Sequence, residues 1–276
     1  MRDRPPALRH SLRFSLGLTL GLAISAAAAA ASRPPAPADV PAIASRQRNE
    51  KTSFTDAEIA EGFFRTAFGA EYHLAGRVDR IRKYVQPVRV FIDPANRADR
   101  RAQLAGVVAD IAARVQHLDI AVTESRDDAS VVVTMVRDRD LFRTMTSLYG
   151  ADKARDIRKS LDPQCLSGFR KNDDFEILNS DVLLTVDNGD FTFFDCAYEE
   201  LLQSLGPIND TDAVPWTMFN DAVQMGFFDV YDQYILNILY DPRIRAGMTI
   251  TEVREVLPEV LVDVRAWVAK VNGFGR

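Results

Sequence analysis

The alternation of apolar and polar residues divides the chain into a short series of elements. Thr55 and Glu58 stand at capping-box spacing, and EIAEGFFRTAFGAEYH after them suits an amphipathic helix, with residues 78–84 extending that helical layer. Residues 87–93 predict a strand, because β-branched side chains cluster ahead of Asp93-Pro94. Leu104, Val107, Val108, Ile111 and Val115 then recur at the three-and-four spacing of a buried helix face. Short apolar runs at 119–123 and 130–136 add two more strands. A strand, helix, strand order favours a parallel pair with a right-handed crossover.

Residues 138–160 are charged and helical in character. Further on, 180–186 predicts a strand, Asp187-Asn-Gly-Asp190 a tight turn, and 191–193 a short return strand. A helix is expected over 196–205 with Asp195 as its N-cap and Gly206 as its stop. Two more helices follow, one over 230–240 ahead of Asp241-Pro242, the other starting near Thr249 and carrying Pro258 as a kink. The pattern contains no internal repeat. It describes an α+β fold: a mixed sheet with two long helices and a helical C-terminal part.

The first 31 residues read differently. An arginine-bearing start, an apolar run over 14–24 and an alanine-rich tail with A-x-A sites near Ala31 are the pattern of a secretory signal peptide. An uncleaved anchor is the rival reading, and the run falls short of the roughly 20 residues a span needs. Residues 32–53, rich in proline and alanine, are expected to be a flexible linker, leaving 54–276 as a single domain. The expected location is periplasmic or secreted, with no stable transmembrane segment after cleavage.

Removing residues 1–31 takes four of the 34 basic and one of the 39 acidic side chains, leaving a formal charge of −8. That balance argues against an extended basic groove and excludes nucleic acid from the expected partners. No glycine-rich phosphate loop and no serine nucleophile elbow occurs. The two cysteines, Cys165 and Cys196, predict one disulfide in an oxidising compartment; metal ligation or a catalytic thiol is the alternative.

The stretches CAYEELLQSLGPIND, TMFND, YILNILYDPR and RAGMT, with GFFRTAFGAEY and VQPVRVFID upstream, resemble a bacterial family of exported proteins, the domain of unknown function numbered 2927. CAYEELLQSLGPIND also has a more distant resemblance to the metzincin zinc proteases, whose motif is H-E-x-x-H-x-x-G-x-x-H followed by a methionine turn. That resemblance puts Glu199, Gln203 and Asn209 in the ligand positions, Glu200 in the general-base position, Gly206 at the glycine and Met218 near the methionine turn. It implies a zincin-like, degenerate metalloprotease fold. Only Glu200 and Gly206 keep the motif's residue types.

The departures decide the chemistry. Catalytic zinc takes imidazole, thiolate or carboxylate donors, and the neutral amides of Gln203 and Asn209 are weak ones. His73 and His117 lie far from the motif in sequence. A calcium or magnesium site drawn from Glu199, Glu200, Asn209, Asp210 and Asp212 suits hard oxygen donors better. Acidic residues near a helix start and an Asn-Asp-Thr-Asp turn also arise with no ligand at all. Asn220 and Asp221 are expected to face the same hollow, completing a polar pocket of Glu199, Glu200, Gln203, Asn209, Asp210, Asn220 and Asp221. Arg243 and Arg245 are candidates to pair with it.

The leading expectation is an exported, non-catalytic binding or scaffold module of the cell envelope, without a cofactor, whose partner is an unknown protein or small molecule. The alternative is a peptidase-like hydrolase with a divalent cation on Glu199, Gln203 and Asn209, and Glu200 as general base.

Overall fold

The computed structural model describes residues 35–69, 79–93, 98–161 and 164–274, all within one compact unit, Pro34–Arg276. The expected signal peptide and His73 lie outside the described residues. Ahead of the sheet stand a 3-10 turn at Pro37–Asp39, helix α1 (Pro41–Arg48) and helix α2 (Asp56–Ala67). α1 corrects the expectation of a flexible linker. Pro41 opens it, where a missing N–H costs nothing, and its one large apolar residue, Ile43, is 0% exposed. The Ile43 side chain fills the place a Cβ on Gly226 would occupy.

α2 starts with the expected box, Thr55 Oγ1 accepting from Glu58 N while the Glu58 carboxylate accepts from Thr55 N. Residues 79–87 are not helical, which corrects the predicted extension. Ile81 instead bonds through its backbone to Gly247 and Met248, and Lys83 bridges to Glu176.

From β1 (Val88–Ile92) the chain runs through α3 (Ala98–Arg114), β2 (Ile120–Thr123), β3 (Val131–Val136), α4 (Asp138–Tyr149), α5 (Ala151–Leu161), β4 (Cys165–Lys171), β5 (Ile177–Thr185) and α6 (Asp190–Ser204). α7 (Val230–Tyr240) and α8 (Ile250–Asn272) complete it. The sheet order is β2-β1-β3-β5-β4. β1 pairs in parallel with β2 and β3, β3 in parallel with β5, and β4 closes one edge antiparallel to β5. The fold is therefore α+β with a mixed five-stranded sheet.

β5 shows how alternation divides the interior. Val182 and Leu184 face the main core with Phe193, Leu201, Ile235 and Val264, while Leu183 joins Leu166, Leu141, Met145 and Ile157 in a smaller core. α6 packs on β4 and β5, and α7 on α2 and α8. Every residue of α7 is buried, and its N-cap Asp229 accepts from Tyr231 N and Asp232 N. Among the described residues no helix is long and apolar enough to cross a membrane.

Two predictions fail around α6. The expected strand at 191–193 is the first turn of the helix, because Gly189 at φ 92° turns the chain directly into it and Phe193 and Phe194 enter the core. Asp195 is consequently not an N-cap. It lies inside α6, and its Oδ1 accepts from Met225 N and Gly226 N.

Candidate functional site

α6 presents Glu199, Glu200 and Gln203 near its C-terminal end. Glu199 and Gln203 are four apart and share a face. The helix stops at Gly206, whose φ of 139° and tight surroundings both demand glycine, since a Cβ there would meet the Arg82 carbonyl oxygen at 2.4 Å. The turn then swings Asn209 and Asp210 apart. Asn209 N donates to Thr66 O, and its side-chain Nδ2 donates to Arg65 O at 2.7 Å, satisfying carbonyls left open at the end of α2. Asp210 points the other way, where its Oδ1 accepts from Gln203 Nε2 at 2.6 Å.

The carboxylates of Glu199, Asp210 and Asp221 come together, with one oxygen of each within 4.8 Å of the others. Burial pushes the Glu199 carboxyl well above its usual range, and the charges of Glu200, Asp210, Asp195 and Asp221 push it further the same way. Asn220 adjoins this cluster in sequence only. Its Nδ2 donates to Val214 O and its Oδ1 accepts from Ala222 N, so it shapes the loop. Met218 is buried, and its N–H donates to Asp232 Oδ2. Glu200, 5% exposed, is not one of the three converging carboxylates; its charge acts on the Tyr149 hydroxyl as well as on Glu199.

Of the seven residues expected to line one pocket, Glu199, Gln203, Asp210 and Asp221 are linked, while Asn209 and Asn220 bond to loop and helix backbones. Gln203 bonds to Asp210 and Asn209 to the end of α2, while the converging carboxylates are those of Glu199, Asp210 and Asp221. The metzincin donor set does not carry over: Gln203 and Asn209 offer neutral amide oxygens in place of imidazole, both cysteines are joined to each other, and His117 is the one described histidine. Arg243 is engaged by Asp241 and Asp263, away from the acidic cluster, which corrects its expected pairing.

Cys165 on β4 and Cys196 on α6 form a disulfide with Cα atoms 5.9 Å apart, fastening the edge strand to the helix. Ser167, on the same strand, lies 3.5 Å from Gln203 Oε1. Sequence reading overlooked it because CLSGFRK lacks the alternation that marks a strand.

Fold and site together define an α+β protein with a cluster of carboxylates beside a disulfide-tied helix. The chain belongs to the family of proteins of unknown function DUF2927, which it matches over residues 56–259. No curated protein and no solved structure matches it significantly.

Proposed function

We propose that the chain is an exported, non-catalytic module with a degenerate zincin-like fold, acting in the cell envelope by binding rather than by hydrolysis. The observation that carries this reading is the fate of the ligand positions. Helix, exit glycine and spacing are kept, while Gln203 is bonded to Asp210 and Asn209 to the end of α2. The zincin likeness rests on that spacing and on the mixed sheet packed against long helices. The disulfide supports an oxidising, exported setting. Glu200 keeps the general-base position, but the ligand positions around it carry Gln203 and Asn209, whose neutral amides are weak donors for the electrophilic metal that a peptidase needs. Protein expressed with its leader, purified and dialysed against a weak chelator is expected to hold no stoichiometric transition metal and to cleave a quenched peptide library no faster than Glu200→Gln does. Bound zinc at one per chain, or cleavage lost in that variant, overturns the reading.

The convergence of Glu199, Asp210 and Asp221 favours a second reading, in which the hollow takes a hard divalent cation. Binding to the folded state alone stabilises by about 2.7 kcal/mol at a hundred times the dissociation constant. Calcium or magnesium is then expected to raise the melting temperature, and Asp221→Asn to remove that response. The sign with pH is fixed. A carboxyl raised in the fold binds more protons there than in the unfolded chain, so without cation stability climbs as pH falls through the raised Glu199 value. Saturating cation should flatten that climb; an unchanged profile counts against the site.

A further inference from the structure

Residues 35–53 form a strap laid over the domain and held at separate points. Pro35 O accepts from Gln103 Nε2, Ile43 is buried at Gly226, Arg46 Nε donates to Gln224 O with its guanidinium over the Phe191 ring, and the Glu50 carboxylate accepts from Val230 N. The last anchor touches the first turn of α7, where two further acids lie. Asp229 is 1% exposed and Asp232 is 0% exposed. Both Asp232 oxygens are used, Oδ1 by the Thr217 hydroxyl at 2.6 Å and Oδ2 by Met218 N at 2.8 Å. Asp229 Oδ1 caps α7, but its Oδ2 meets no donor within the fold.

A buried carboxylate oxygen without a donor is costly unless it carries a proton. Asp232 follows on the same first turn of α7, its N–H donating to Asp229 Oδ1 at 3.1 Å, and a hydrogen bond between two such carboxyls requires one proton. The charges around the group are unbalanced. Glu50 approaches from the strap, Asp229 and Asp232 from α7, and Arg114 of α3 is the cation that acts on Glu50. Arg114 is itself engaged by Asp110. From α2, Glu58 and Glu61 act on the Tyr231 hydroxyl and add no positive charge.

We propose that Asp229 and Asp232 hold one proton between them, Asp229 donating to Asp232, and that loss of this proton releases the Glu50 end of the strap from α7. Of the three acids only Glu50 can leave. Asp229 and Asp232 are fixed in a helix buried along its whole length, whereas Glu50 is half-buried on a short segment between α1 and α2. Once the pair is fully ionised, three negative charges share a poorly solvated space, and Glu50 relieves the repulsion by turning into water. Arg46 holds the α1 end through Gln224 and Phe191, beside Asp195, and Lys51 keeps its own tie to Glu58 on α2, so the release is confined to the turn between these two anchors.

Burial supports the direction of the switch. It raises all three acids, Asp229 well above the usual carboxylate range, so the closed strap belongs to the acidic side and opening to the alkaline side of the shared proton's loss.

The test is hydrogen exchange on the full exported chain at pH 5 and pH 8, corrected for intrinsic rates. The Val230 amide, which donates to the Glu50 carboxylate, is expected to exchange about tenfold faster at pH 8, the change that one unit of pKa coupling produces, while the amides within α1 keep their protection. Asp229→Asn, which supplies an amide donor to Asp232 and needs no proton, should hold the strap at both pH values. Glu50→Gln should abolish the pH-dependent release while leaving the pair to titrate. Equal protection of the Val230 amide at both pH values, or a pH response that survives in both variants, overturns the proposal. Carboxyl carbon NMR of the unmodified chain keeps it testable should either variant misfold. One carboxyl of the pair is expected to titrate above pH 6 in step with release, and both titrating below pH 5 refutes the mechanism.

Discussion

Gly206 shows how a single position sets the site. With a Cβ 2.4 Å from the Arg82 carbonyl and φ in the left-handed range, Gly206→Ala meets a clash and backbone strain at once. The expected cost is about 2–3 kcal/mol, read as a lower denaturation midpoint with an unchanged slope. Because Gly206 directs Asn209 to α2 and Asp210 to Gln203, that variant should also weaken any cation response. Lys83 works by another route. Its ammonium is buried at the end of α7 and donates to Leu239 O at 2.6 Å and Ile244 O at 2.8 Å, supplying positive charge where the helix carbonyls are exposed. Burial lowers its pKa to about 8, so it remains an ammonium at neutral pH.

At the scale of elements, the disulfide is the strongest single tie. Cys165 and Cys196 are 31 positions apart, and the loop-entropy estimate for such a closure is about 3–4 kcal/mol. Replacing both by serine, or reducing the native protein, is expected to lower unfolding free energy by that amount in a denaturant titration, with the loss concentrated in exchange protection of β4. Pairing also checks register. Cys165 stands opposite Leu184, and a slip of one residue would turn Leu166 toward α6 and Cys165 away, so only the correct hairpin can oxidise. The elements legible in the sequence were those whose burial is one-sided or complete. α3 carries its stripe from Leu104 to Ile111, and β1 and β3 are β-branched. What stayed hidden depends on distant partners. β4 has little apolar content of its own, Phe191 to Phe193 suit a strand locally but feed a helix core, and α1 carries a single anchor. The spacing of α6 was readable; that Asn209 serves the end of α2 was not, because that outcome depends on how the loop after Gly206 returns.

For the whole molecule, the family match and the folded unit have different limits. The match begins at residue 56, whereas the compact unit includes the strap from residue 35. Fully burying an isoleucine contributes about 1.5–3 kcal/mol, and for a domain of this size each kcal/mol shifts melting by about 2–4 °C. A chain cut to begin at residue 56 is therefore expected to melt about 5–10 °C lower by calorimetry and to bind more of an apolar-surface dye, because Phe191 and the Gly226 notch are uncovered. Unchanged melting would show that the strap adds nothing to the domain. Shared ancestry and mechanical completeness thus draw their borders at different residues. The segment between 35 and 55 fastens the domain from outside the stretch that the family match covers, so a change there alters how the fold is held while the matched body stays as it is.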